Sequence, residues 1–180
     1  MVGAESQPFG MLWARRPMGE GAPDLVLCWP GRTVAEYARA GVSDYLGRIR
    51  RHRSCRCLVV PEEAAGNRYS KSHRMARDGR SILKRLEPLK PLYMVVVDPR
   101  GRMLGSKEFA RFVHRQCYDD SRTLAFVVGG PDGVAGVVRD CADMVLALSP
   151  MTLPHDMARL ILVEQVYRGL TLIHGLPYSR

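Results

Sequence analysis

Long apolar runs, paired cysteines and nucleotide-loop glycines are all missing from this 180-residue chain. No apolar stretch approaches the roughly 18 residues that a membrane-spanning helix needs, so no membrane partner is expected. Cys28, Cys55, Cys57, Cys117 and Cys141 include no C-x-x-C pair. Cys55 and Cys57 stand too close together for a zinc knuckle, and no second pair completes them, so no metal centre is expected. Free thiols in a reducing cytoplasm are the simplest account of the odd count. Neither G-x-G-x-x-G after a first strand nor G-x-x-x-x-G-K-[ST] occurs, which argues against a dinucleotide or phosphate-loop site. Residues 1–23 lack the apolar core of a secretory signal and are expected to form a flexible extension ahead of one domain, 24–180.

Positive charge is abundant and unevenly placed. The formal net charge is +9, from 27 Lys and Arg against 18 Asp and Glu. Residues 1–97 hold 17 basic and 9 acidic side chains, and residues 98–180 hold 10 and 9. The stretch 48–90 alone has 13 basic and 4 acidic residues. Such a tract suits a polyanion, or it is simply a solvated arginine-rich surface. Arg50, Arg51, Arg53, Arg68, Lys71 and Arg74 are the candidates to meet phosphates.

Periodicity predicts five strands alternating with five helices. Leu25–Trp29, Cys57–Val60, Leu92–Val97, Leu124–Val128 and Met144–Leu148 read as strands, several of them continuously apolar. That continuity marks strands buried on both faces. Helical spacing covers about 33–51, 70–87, 106–117, 134–142 and 156–173, with Ser70 or Ser72 capping the second and Ser106 the third. The fold class is α/β, with a mainly parallel sheet and helices on both faces.

Ligands of open parallel sheets gather beyond the carboxyl ends of the strands. Three such ends are unusual here. Val97-Asp98-Pro99-Arg100-Gly101 follows the third strand, and Gly129-Gly130-Pro131-Asp132-Gly133 follows the fourth. Ser149-Pro150-Met151-Thr152-Leu153-Pro154-His155 follows the fifth. By spacing alone, the glycine-rich end is as well explained by a plain turn.

The second and third ends resemble the GGPEG and S-x-x-TLPH loops of the ribosomal RNA large-subunit methyltransferase H family, within the SPOUT superfamily. Arg159, Glu164, Gln165, Tyr167 and Arg168 are similar to that family's R-x-x-x-x-E-Q-x-Y-R helix. His174 to Arg180 is similar to its H-P-Y-H-R tail. The resemblance spans about 24–180 and is strongest over 92–180. It implies a carboxyl-terminal trefoil knot, a homodimer, and S-adenosylmethionine bound by Val97, Asp98, Gly129, Gly130, Ser149, Pro150, Met151, Thr152, Leu153 and Pro154. It also implies methylation of N3 of a pseudouridine in a stem-loop of 23S rRNA, on the assembled ribosome.

A protonated imide nitrogen is a weak nucleophile, so a base or a nearby cation would assist. His155, Tyr178 and Arg180 are the candidates. His155 serves equally well as a cap or a structural hydrogen-bond partner. Ser179 stands where the family usually carries His, so that histidine cannot act here. Glu164 and Arg168, at i and i+4, are placed to pair on their helix. The last helix is apolar on more than one face, which a second copy of the chain would explain. Two other readings fit the same residues: a non-catalytic RNA- or ribosome-binding protein, and a SPOUT enzyme acting on tRNA.

Overall fold

Two strands in which every side chain is buried form the middle of the sheet: β1 (Leu25–Pro30) and β4 (Thr123–Val128). The structure is a computed structural model and describes residues 24–62 and 69–178. The other strands are β2 (Cys55–Val60), β3 (Leu92–Met103) and β5 (Met144–Ala147). They join in the order β2-β1-β4-β3-β5, and every pairing is parallel. The helices are α1 (Glu36–Ile49), α2 (Lys71–Leu86), α3 (Ser106–His114), α4 (Gly136–Asp140) and α5 (His155–Ile173).

Because side chains alternate across a strand, each apolar run feeds two cores. Leu25, Leu27, Trp29 and Phe126 face α1, α3 and α5, whereas Val26, Cys28, Ala125 and Val127 face α2 and α4. Each fully buried side chain of this size contributes roughly 1.5–3 kcal/mol. The α/β layering expected from periodicity is therefore the observed one. All five cysteines are free, and burial pushes the Cys28, Cys55 and Cys117 thiols up to about 12. Among the described residues, no helix is long and apolar enough to cross a membrane and no metal-binding cluster occurs. The expected extension, 1–23, and also Arg68, Ser179 and Arg180 lie outside the described residues.

Four local departures have physical causes. The first concerns α1, which starts at Glu36 rather than 33. The Val34 and Ala35 N–H groups both donate to Asp156 Oδ2, at 2.9 Å each, and hold these residues in the preceding loop. Val34 and Tyr37, two of the apolar residues in the span read as helical, are 80% and 56% exposed. Second, β3 does not stop at Asp98. Its neighbour β4 ends opposite Val97, so the donor that Pro99 lacks costs no ladder bond on that side. The chain shifts register and pairs Arg102 and Met103 with Leu146 and Ala147. Third, α3 is capped by Gly105, whose N–H donates to Glu108 Oε2 at 2.9 Å, and Ser106 is its first residue. The helix then continues as a π-helical turn, Arg115–Asp119. Fourth, α5 packs against both α1 and α3, and its Leu162, Val163, Val166 and Leu170 are fully buried within the chain. Much of its all-round apolar character is satisfied there, without a second copy.

The register shift brings Gly101 against β5. A Cβ at this position would lie 2.6–2.7 Å from backbone atoms of Val145 and Leu146. Backbone cannot yield as a flexible side chain can, so only glycine fits. Gly101→Ala is expected to lower stability by about 1–3 kcal/mol. A urea titration should show a lower midpoint with an unchanged m-value, and a midpoint equal to wild type would contradict the close approach.

Candidate active site

The carboxyl ends of β3, β4 and β5 open onto one cavity of about 600 Å³. That volume lies within the usual range for small-molecule sites. It is lined by residues 97–99, 128–134, 148, 149 and 151–155, together with Ala158 and Lys71. Val97, Asp98, Gly129, Gly130, Ser149, Met151, Thr152, Leu153 and Pro154 are thus brought together, and Pro150 is not part of the lining. Sequence reasoning did not assign Pro99, Pro131, Asp132, Val134, Leu148 or Lys71 to the pocket. Asp132 belongs to a loop already singled out, whereas only the basic tract pointed to Lys71.

Each wall is fixed by a different contact. In the second loop, Gly133 N–H donates to the Gly130 carbonyl at 3.0 Å. The fold-back is so tight that a Cβ on Gly129 would lie 2.6 Å from Gly133 C and O. The start of α2 is tied to this loop by Arg74, whose Nε donates to Asp132 Oδ2 at 2.7 Å while Nη1 donates to the Tyr69 carbonyl at 2.7 Å. The hydrogen bond from Arg74 holds the Asp132 carboxyl below the usual carboxylate range. On the first loop, Asp98 is buried and accepts from Arg100 N, Nε and Nη2, each at 3.0 Å, and from Arg139 Nη1 at 3.2 Å. These four donors occupy the carboxylate and brace the loop.

The third loop is anchored by an ion pair under α5. Arg159 is 0% exposed, and its Nη1 lies 3.0 Å from Asp156 Oδ1. Its Nη2 donates to the Pro30 carbonyl at 2.6 Å, and Nη1 reaches Thr33 Oγ1 at 3.4 Å. Burial pulls the Arg159 guanidinium below its ordinary range, and Asp156 opposes that shift. For Asp156, burial raises the pKa, but the Ala35 and Val34 amides and Arg159 outweigh it, and the net shift is downward. His155 lines the cavity with its Nε2 3.4 Å from Asp156 Oδ1. The ring is therefore a structural partner of Asp156 that also faces the cavity.

Tyr178 lies elsewhere. Its hydroxyl is 2.9 Å from Tyr45 Oη and 3.3 Å from Glu164 Oε1, and its ring meets the Tyr167 ring edge-on with centroids 4.6 Å apart. Glu164 also pairs with Arg168 Nη2 at 2.6 Å, the expected i,i+4 contact. Burial, the Tyr45 hydrogen bond and the Glu164 charge all push the Tyr178 phenol upward, which keeps it protonated. Within one chain, Tyr178 is not part of the cavity wall.

The candidate phosphate contacts also separate. Arg53 is buried, with Nη2 donating to the Cys117 carbonyl at 2.6 Å and Nη1 3.6 Å from Asp24. Such a guanidinium is core structure, which corrects its assignment to a polyanion surface. Arg50 Nε donates to the Cys55 carbonyl at 3.2 Å, and Arg74 is held by Asp132. Arg51 and Lys71 remain exposed.

A parallel sheet with helices on both faces and three loops folded around one cavity places the chain in the doubly wound α/β class. The chain belongs to the SPOUT methyltransferase family: residues 24–179 match the family model described as a predicted SPOUT methyltransferase. It is 34% identical over 154 residues to the Ribosomal RNA large subunit methyltransferase H of Syntrophotalea carbinolica, covering 86% of this chain and 97% of that protein. The same-named protein of Syntrophobacter fumaroxidans is 36% identical over 154 residues, covering 86% and 98%. Among solved structures, a probable methyltransferase from Bordetella pertussis Tohama I aligns with a TM-score of 0.49 at 16% identity, over 82% of this chain and 96% of that one.

Removing the Asp156 charge would leave the Arg159 cation buried without its partner. Asp156→Asn is expected to cost about 3–5 kcal/mol of stability by chemical denaturation. The Asp156 pKa is depressed by folding, so its contribution is present above the unfolded carboxyl range and fades as pH falls through the folded value. The gap between wild type and variant should therefore narrow only in acid. A gap independent of pH down to the acid transition would argue against the charged pair.

Proposed function

We propose that this protein is a cytoplasmic S-adenosylmethionine-dependent methyltransferase acting on N3 of a pseudouridine in a stem-loop of 23S rRNA, in the assembled ribosome. The observation that carries the reading is the convergence of three strand-end segments on one cavity, in a chain whose relatives are named for this RNA. The cavity has room for a cofactor of this size, and its tight glycine turn offers backbone rather than side chains.

Residues 97–99, 129–133 and 149–154 would hold the cofactor. Bound there, it would supply a methyl group already activated by a sulfonium. The protein's own task is then alignment of the nucleophile, and positioning of that kind is worth roughly 7–11 kcal/mol. The three loops hold fixed walls through Asp98, Arg74 and the Asp156–Arg159 pair, so little order has to be created on binding. His155, in the lining with Asp156 beside it, would be the group to take the N3 proton. Tyr178 and Arg180 would contribute only across a subunit boundary, because Tyr178 is remote from its own chain's cavity.

A homodimer is part of this reading. Its support is the apolar surface left near the site: Val34, Tyr37 and Met151, the last 73% exposed. We further infer that the carboxyl-terminal third is threaded as a trefoil knot; what supports it is the match to the SPOUT family model.

Calorimetry with S-adenosylmethionine should give saturable binding at one site per chain. Ribosomes from a strain lacking the gene should gain one methyl on a pseudouridine-containing 23S fragment, read by mass spectrometry. Absence of cofactor binding would favour a pure RNA- or ribosome-binding protein, and methyl incorporation into tRNA alone would replace the ribosomal assignment. Light scattering at micromolar concentration should report twice the 20.2 kDa chain mass, and a monomer would remove the dimer.

A further inference from the structure

The cavity wall has more ionisable groups than free charge. Asp98 is engaged by Arg100 and Arg139, and Asp132 by Arg74. His155 leans on Asp156. Lys71 is the remaining ionisable group of the lining, and it is exposed with no hydrogen-bond or ion-pair partner among the described residues. Its charge is felt at Asp132, after the stronger effect of Arg74, so its ammonium lies on the same side of the cavity as the glycine-rich loop. Next to it, the Tyr69 and His73 rings stack with centroids 4.6 Å apart and an interplanar angle of 18°.

We propose that Lys71 is a substrate-positioning residue whose ammonium takes a backbone phosphate of the RNA segment entering the cavity, with the Tyr69–His73 ring pair beside it as a stacking surface for a flanking base. The proposal rests on the RNA methyltransferase reading above. A flat ring pair flanking an exposed cation in the sequence matches what a locally unstacked RNA strand presents, a base face and a phosphate. The neighbouring Arg74 cannot replace Lys71, because it is spent on Asp132 and the Tyr69 carbonyl.

The test is Lys71→Gln, assayed with purified ribosomes that lack the methyl group, with Lys71→Arg as the charge-conserving variant and Lys107→Gln on α3 as a control. Loss of one phosphate contact should raise KM for ribosomes about tenfold near 0.1 M salt. The slope of log KM against log salt should become shallower by about one, while kcat falls less than twofold. Lys71→Arg should restore most of the loss, and the calorimetric Kd for S-adenosylmethionine should match wild type. His73→Ala should raise KM without altering the salt slope. An unchanged KM and salt slope in Lys71→Gln, with wild-type methylation intact, overturns this inference alone. A loss confined to cofactor affinity also overturns it, because the ammonium would then face the cofactor carboxylate. If wild type itself neither binds the cofactor nor methylates ribosomes, it is the underlying functional reading that fails.

Discussion

The arrangement of the site depends on one buried ion pair. Asp156 and Arg159 stand one turn apart at the start of α5, yet their partners lie at the end of β1 and in the loop that leads from it to α1. Asp156 takes the Val34 and Ala35 amides, and Arg159 takes the Pro30 carbonyl. Burying such a pair is costly, and its desolvation offsets much of its attraction, so net stability is a poor explanation for it. Geometric definition is the better one. The pair joins the first strand to the last helix, and the loop at 149–155 is suspended between that joint and β5. Without it, the third wall of the cavity would be tied down at one end only.

The same economy governs the remaining charges. A net charge of +9 invites the idea of a basic surface. Three of the arginines nevertheless serve the protein's own structure. Arg53 lies over the Tyr118 ring at 3.7 Å and reaches a core carbonyl, Arg139 braces Asp98, and Arg159 is inaccessible to solvent. Arginine suits these posts because its planar fork satisfies several acceptors at once and remains charged when buried. The lysine in the cavity does the opposite. A flexible, strongly hydrated point charge is poor mortar and a good handle for a mobile anion.

The layers of the fold were legible because apolar continuity and turn residues report burial directly. Leu25 to Trp29 and Leu124 to Val128 read as doubly buried strands and are the central pair. The three strand ends were legible as a site for the same reason: Gly129, Pro131 and Pro154 interrupt the pattern where the chain must turn. Contacts between distant residues left no such trace. Nothing in the spacing of Val34 and Ala35 told that a carboxylate more than 120 positions away would take their amides and shorten α1. Counting charge along 48–90 likewise could not separate Arg53 in the core from Lys71 at the cavity. The register shift after Val97 was hidden because Asp98-Pro99 reads as a stop until the shortness of β4 is known. The family resemblance supplied site residues that periodicity left as a plain turn.

What lines the cavity also limits the chemistry it can perform. Two of its four ionisable side chains are acids whose oxygens are already committed to arginines, and the third, His155, shares a carboxylate with Arg159. Among the described residues, no cysteine lines the cavity. A wall of that kind is poorly suited to covalent catalysis, which needs a side chain poised to attack. It is well suited to a reaction whose reactive group arrives on a ligand and whose demand on the protein is alignment. Rigid loops, glycine backbone and pre-neutralised carboxylates provide that alignment. Of the described residues in the lining, Lys71 alone presents an ammonium at the cavity, and it would meet an anionic substrate without competing with the reacting atoms.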